Sequence, residues 1–475
     1  MKLYNKDLLL MNEPESYIDR IQRLASHNKE LKSQLEEMVK RFANVENQNQ
    51  YFQEALLRYA PELDMSSKEN RSLIKRLKTV SILYVSVKGF ERLYQLEQPE
   101  LMVDLLDELN LALDDIAFYY NVVKLKSVGD MMLFAAGLQG ENRTNPIDIV
   151  RVALEMQEAA NKIKAPDGEV FWQLKMGIHT GPVVATPNNS KSAGYSFSGD
   201  SINIACRIGD ASPDSSLSVS VMTYELIKEF FESSQIGNMP VKYKGNLGMY
   251  QVKGFLPEMQ VEGHPNETNH AYRIKYLMLK FMDIQEEVLD YLEHKLPQNL
   301  YYHNIKHTID VTTEVELIGW AEGVSEEDIL LLKLAALFHD AGHTISYKDH
   351  EYHGTIMARE KLASYDFTTE QIDTVCRLIM ATQMPPKPKD ILECIMCDSD
   401  LDYLGRTDFI PVSNALYKEL KEYDMVESWE AWNKLQLKFI GKHQYFTKTA
   451  LQLREVNKQQ QIERLEQVIK EGVIE

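Results

Sequence analysis

Four short stretches in the second half of the chain concentrate residue types that bind divalent metal ions. Y-H-N-I-K-H (302–307) holds His303 and His307, four positions apart and therefore on one face of a helix. F-H-D-A-G-H (338–343) offers His339, Asp340 and His343 at the end of an apolar run. K-D-H-E-Y-H (348–353) adds His350, Glu351 and His353, and C-D-S-D-L-D (397–402) adds Asp398, Asp400 and Asp402. Six of the twelve histidines fall between His303 and His353, a clustering that scattered surface histidines do not produce. Imidazole and carboxylate together suit octahedral Mn²⁺, Fe²⁺ or Mg²⁺, or Zn²⁺, bound with water. A lone histidine usually packs as a satisfied core residue; four spaced motifs argue against that reading here.

A second set of polar residues lies upstream, on a different pattern of elements. Residues 79–86 (T-V-S-I-L-Y-V-S) read as a strand leading into the turn Val87-Lys88-Gly89-Phe90. A helix follows over roughly 97–119, then a hairpin over 122–134 with Gly129-Asp130 at its turn. A second helix at about 146–164 and a strand over 171–185 complete the run. From about 271 onward the periodicity is almost wholly helical, with apolar residues at three and four spacing through 274–292, 309–321, 326–338 and 369–382.

The upstream motifs Y-V-S-V-K-G-F (84–90), K-S-V-G-D (126–130), G-I-H-T-G-P-V-V-A (177–185), Y-S-F-S-G-D-S-I-N-I-A-C-R (195–207) and V-K-G-F (252–255) together resemble a class III nucleotidyl cyclase catalytic domain. The resemblance implies two aspartates that hold Mg²⁺ or Mn²⁺ with the nucleotide. One is present as Asp130; the other falls where this chain has Ser86. By the same resemblance Lys126 and Ser196 read the base, Asn203 orients the ribose and Arg207 stabilises the phosphate, the last two acting across a dimer interface. Ser86 is a neutral, weak ligand, so two readings stand: a working cyclase, or a domain that binds a purine nucleotide without cyclising it.

The H…HD…D arrangement resembles the HD-domain metal phosphohydrolases, and Y-H-N-x-x-H is similar to the start of cyclic-nucleotide phosphodiesterases. The resemblance makes His307, His339, Asp340 and Asp400 metal ligands, with Asp398 the alternative to Asp400. His350 is a further active-site or second-metal residue, and His303 protonates the leaving oxygen while metal-activated water attacks phosphorus.

Residues 17–59 sustain a heptad, with Ile21, Asn28, Leu35, Phe42, Asn49 and Leu56 on one seam position, which is expected to form a parallel homodimer. The expected organisation is multidomain: a coiled coil (12–75), an α+β ferredoxin-like cyclase domain (78–255), a linker (256–270) and an all-α HD domain (271–475) with a closing charged helix. A net charge of -19 disfavours nucleic acid as a partner. The longest apolar runs are too short for a membrane span, and no signal peptide is expected. Four cysteines, with Cys394 and Cys397 an isolated C-x-x-C, fit a reducing cytoplasm and packed thiols. The expected function is cyclic-nucleotide signalling, with hydrolysis in the HD domain; the alternatives are an active adenylate/guanylate cyclase regulated by its HD domain and a non-catalytic nucleotide-sensing dimeric scaffold.

Overall fold

The computed structural model describes residues 74–471 except 91–98, 139–141, 165–167, 188–194 and 242–244. The heptad stretch lies outside the described residues, and with it the expected coiled coil. Arg76–Val183 and Phe197–Glu475 form one compact unit, and the rest of the described chain groups separately with Val184–Ser196.

The first half of the described chain builds a mixed sheet. In order come β1 (Lys75–Lys88), α1 (Pro99–Tyr119), β2 (Val123–Val128), β3 (Met131–Ala136), α2 (Asn145–Lys162), β4 (Gln173–Pro187), β5 (Tyr195–Ser198), α3 (Asp200–Ala211), β6 (Leu217–Ser220), α4 (Val221–Ile227), β7 (Phe231–Val241) and β8 (Gly245–Phe255). Strand order through the sheet is β2-β3-β1-β4-β6-β8-β7. The β4–β6 pair is parallel and β1–β3, β2–β3, β6–β8 and β7–β8 are antiparallel.

Strand β1 is central, and its period of two explains both faces. Leu83, Val85 and Val87 enter the larger core with Leu105, Leu109 and Leu113 of α1 and with Trp172. Val80, Ile82 and Tyr84 face the opposite core beside Ala205 of α3. Helix α3 seats on the sheet through two glycines. A Cβ on Gly177 would lie 2.1 Å from the Gly209 nitrogen, and one on Gly209 would lie 2.2 Å from the Tyr84 ring. Tyr84 also donates to Asp210 at 2.9 Å. Backbone therefore meets backbone where α3 crosses β4, which fixes the helix that carries Asn203 and Arg207.

The segment 256–270, expected as a linker, is ordered into a 3₁₀ turn (Pro257–Met259) and a two-stranded ribbon of β9 (Gln260–Val261) and β10 (His264–Thr268). It leads into α5 (His270–Lys295), whose residues are shared between two cores. Tyr272 is buried edge-on against Phe230 and Phe255 in the sheet's core, while Leu277, Phe281, Ile284, Val288 and Leu292 belong to the helical core. The polar side of α5 is tied to the sheet region as well, by Tyr276 to Asp148 at 2.7 Å and by Arg143 to Asp283.

The helical region continues with α6 (Ile305–Glu322), α7 (Glu326–Phe338), α8 (His350–Leu362), α9 (Thr369–Ala381), α10 (Ile391–Asp400), α11 (Phe409–Glu422), α12 (Trp429–Lys442) and α13 (Lys448–Glu471). Helix α7 is capped by a reciprocal Ser325–Asp328 box, and every residue from Ile329 to Phe338 except Lys333 is buried. A helix apolar on all sides belongs at the centre of a domain, and α7 is that centre. The closing helix α13, which reads as exposed and charged, packs on its own domain instead. Arg454 pairs with buried Asp402, and Ala450, Lys458, Gln461 and Leu465 are buried. No helix among the described residues is long and apolar enough to cross a membrane.

The Gly177–Gly209 crossing leaves no room for side chains. Gly177→Ala is expected to lower stability by about 1–3 kcal/mol through forced separation of α3 from β4, read by thermal melting. An unchanged melting temperature would contradict so close a seating of α3.

Candidate functional site

Three helix ends converge on one point of the helical domain. Asn304 caps α6, accepting from the Lys306 and His307 nitrogens, and so sets His303 just before the helix and His307 in its first turn. The end of α7 delivers His339 and Asp340. The end of α10 delivers Asp400. Two of these are helix C-termini, whose unpaired carbonyls favour positive charge nearby.

The ligand-type atoms are spaced as neighbours around an ion. His307 Nε2 lies 3.1 Å from Asp400 Oδ1, 3.3 Å from His339 Nε2 and 3.4 Å from Asp340 Oδ2. His339 Nε2 lies 3.2 Å from Asp340 Oδ2 and 3.5 Å from Asp400 Oδ1. For metal–ligand bonds of about 2.1 Å, adjacent octahedral ligands sit about 3.0 Å apart and tetrahedral ones about 3.4 Å. Asp340 Oδ2 is buried and makes no hydrogen bond, as a carboxylate oxygen aimed at a cation should. His339 Nδ1 lies 2.8 Å from the Ala336 carbonyl, which leaves Nε2 facing the centre. These residues fit a divalent ion.

The second oxygen of Asp340 faces a different group. His350 Nε2 is 3.5 Å and His343 Nε2 3.9 Å from Asp340 Oδ1, and the two imidazoles stack with centroids 3.9 Å apart. His303, Asp340 and His343 offer ligand atoms within 4.8 Å of one another, a second candidate metal group. Burial pushes the His343 pKa down to about 3, so its ring stays neutral. His353 sits on α8 with its Cβ against Gly342.

His303 is held by a residue that the sequence did not single out. Glu419 of α11 is fully buried; it pairs with His303 Nδ1 and accepts from the backbone nitrogens of Tyr302 and His303 at 2.9 and 3.1 Å. The Tyr347 hydroxyl also donates to it, at 3.2 Å. Burial favours the neutral form of His303, but the carboxylates of Asp340 and Glu419 outweigh it and raise its pKa above the ordinary value. No signal in the sequence distinguishes Glu419 from other acids on an amphipathic helix.

A cavity of about 310 Å³ opens beside this centre, lined by polar His303, Asp340, His350 and Asp400 and also by Leu416, Trp432, Leu435, Gln436 and Phe439. Thr382 and Met384 contribute to its wall. Gln436 donates to Ser413 at 2.6 Å, while its Oε1 is buried without a partner. Asp398, two residues before Asp400, turns away. It accepts from the nitrogens of Phe446 and Thr447 and from the Thr447 hydroxyl, and burial raises its pKa to about 6.

The upstream residues are placed on the sheet. Ser86 lies one residue before the end of the buried run of β1 and Asp130 occupies the β2–β3 turn, with the Val87 nitrogen bonded to the Asp130 carbonyl at 2.8 Å. The Ser86 hydroxyl lies 3.4 Å from Asp130 Oδ2, long for a hydrogen bond, and Lys88 Nζ lies 3.8 Å from the same oxygen. Lys126 on β2 and Asn203 and Arg207 on α3 are exposed, as is Ser196 on β5. The set offers one carboxylate where a pair of divalent ions facing a triphosphate needs more anionic oxygen.

Asp400→Ala and His307→Ala are expected to lose bound metal, measured by elemental analysis of purified protein, with little change in fold. Asp398→Ala is expected to keep the metal and lose about 1–3 kcal/mol of stability, since it strips three hydrogen-bond donors of a buried acceptor.

Comparison with known proteins agrees with this division. Residues 73–254 match the adenylate and guanylate cyclase catalytic domain, and residues 304–403 match the HD domain. An adenylate cyclase of Mycobacterium tuberculosis is 27% identical over 203 residues, covering 43% of this chain and 45% of that protein. Guanylate cyclase soluble subunit alpha-1 of Rattus norvegicus is 28% identical over 155 residues, covering 33% of this chain and 22% of that one. The chain thus spans less than half the length of these curated relatives. Among solved structures, the guanylate cyclase domain of RhGC from Catenaria anguillulae in complex with GTP is 26% identical, with a TM-score of 0.35, covering 38% of this chain and all of that one. The chain carries an adenylate/guanylate cyclase catalytic domain over 73–254, followed by an HD domain over 304–403.

Proposed function

We propose that the HD domain hydrolyses the phosphodiester of a cyclic nucleotide, and that the cyclase domain binds a purine nucleotide and serves as its regulator. The observation that carries this reading is the juxtaposition of four metal-type ligand atoms with the His303–Glu419 pair, beside a cavity that His303, Asp340 and Asp400 help to line. A divalent ion held by His307, His339, Asp340 and Asp400 would supply Lewis-acid activation of the phosphoryl group and of water.

The chain's own residues do the rest. Glu419 holds His303 Nδ1, so the other ring nitrogen is the one that presents a proton, and that proton passes to the leaving 3′-oxygen. The apolar lining residues Trp432, Leu416 and Phe439 suit a flat base. Gln436 lines the cavity with its amide tied to Ser413, and a turn of that amide would present it to a base edge. The cavity of about 310 Å³ is of a size to take one nucleotide. The long helix α5, packed into both cores, gives the cyclase domain a mechanical connection to this centre.

The test is turnover of cyclic AMP, cyclic GMP and cyclic pyrimidine nucleotides by Mn²⁺-loaded protein. One of them is expected to be converted to the linear monophosphate. His303→Asn is expected to lower kcat about 10²- to 10⁴-fold with metal content unchanged. Gln436→Ala is expected to change the ranking of bases more than it changes kcat. Metal-loaded protein that opens none of these cyclic esters would sink the reading.

A further inference from the structure

The cyclase domain's phosphate end contains a charge that a two-metal site has no use for. On β1 the side-chain period of two carries Tyr84, Ser86 and Lys88 to the same face. Ser86 is buried at 3% exposure, and Lys88 emerges one step beyond it with its side chain about half exposed (49%). The Val87–Asp130 backbone bond pins the β2–β3 turn against this strand end and presents Asp130 to both residues. Lys88 Nζ and Ser86 Oγ approach the same oxygen, Oδ2 of Asp130, at 3.8 and 3.4 Å.

The formal charge of this set is zero: one carboxylate, one ammonium and one hydroxyl. Two divalent ions facing a triphosphate need anionic oxygens on the protein side to balance them, and here one carboxylate stands beside an ammonium 3.8 Å away. An ammonium has three donors and no acceptor. Standing 3.8 Å from Asp130 on a half-exposed side chain, Lys88 can reach phosphate oxygens as well and so bridge carboxylate and phosphate where a metal ion would. It cannot act as a Lewis acid on a ribose hydroxyl, and the activation that cyclisation requires is missing.

We propose that this domain binds a nucleoside triphosphate without a divalent metal centre, with Lys88 in the bridging position, and leaves it uncyclised. The proposal rests on the reading of the cyclase domain as a nucleotide receptor and deepens it. The exposed Lys126 and Arg207 add positive charge on the same domain, and they require no metal to do so.

The experiment is binding of fluorescent α,β-methylene analogues of ATP and GTP to the full chain, in EDTA and again in Mn²⁺, with Asn203→Ala to localise the signal to this domain. Binding in EDTA is expected to be within about threefold of that in Mn²⁺. Lys88→Met is expected to weaken binding in EDTA about tenfold or more, the worth of a charge-assisted hydrogen bond, and Lys88→Arg to retain most of it. Ser86→Asp combined with Lys88→Met is expected to make binding depend on Mn²⁺. If the native chain binds only with Mn²⁺, or if Lys88→Met binds normally in EDTA, the bridging role is wrong although the domain is still a receptor. If nothing binds in either buffer, the receptor reading falls as well.

Discussion

The carboxylate of Asp340 is the constraint around which the HD domain is organised. It is 6% exposed and faces four imidazoles, His307 and His339 on one oxygen and His343 and His350 on the other. A buried carboxylate is tolerated only when paired, and so many imidazoles in one place are tolerated only when most are neutral or bound. The His339 imidazole is driven in the opposite direction from that of His343: burial lowers both, but the Asp340 and Asp400 carboxylates raise His339 well above its ordinary range. A divalent cation held by His307, His339, Asp340 and Asp400 would relieve this conflict by satisfying the carboxylates with the rings neutral. Each flanking element then has a definite task. The buried α7 delivers Asp340, α6 and α10 supply its neighbours, and α11 supplies Glu419 to hold His303.

The two domains solve the same electrostatic problem in opposite ways. In the HD domain, two carboxylates and two imidazoles converge without any lysine or arginine among the metal-type ligands. In the cyclase domain, a lysine occupies the space beside the single carboxylate. Helix α5 belongs to the cores of both, so a change in packing around Tyr272 is felt in the helix that also carries Phe281 and Ile284. Under the proposed function, that continuity is the route by which one domain would regulate the other.

Much of this was legible in the sequence, for local reasons. The apolar run 329–338 has no polar face, so it had to be a core helix, and its end had to place His339 and Asp340 deep in the domain. The Gly129-Asp130 turn followed from hairpin chemistry, and β2 and β3 flank it. What was not legible depends on partners distant in the chain. Glu419 lies 116 residues from His303, and nothing in its own neighbourhood marks it as buried. Asp398 and Asp400 look interchangeable in C-D-S-D-L-D; a backbone 48 residues away claims one of them. The closing helix reads as solvent-exposed because its buried polar residues, Lys458 and Gln461, are satisfied by carbonyls that sequence does not locate. Lys88 looked like a turn residue, and only its closeness to Asp130 gives it meaning.

The central claim is that one divalent ion sits among His307, His339, Asp340 and Asp400. Anomalous diffraction from crystals of the Mn²⁺-loaded protein, collected at the manganese edge, tests it most directly. The account expects a peak bonded to His307 Nε2, His339 Nε2, Asp340 Oδ2 and Asp400 Oδ1, and no peak beside Asp130. An empty HD centre, or manganese seated between Ser86 and Asp130 instead, would contradict it.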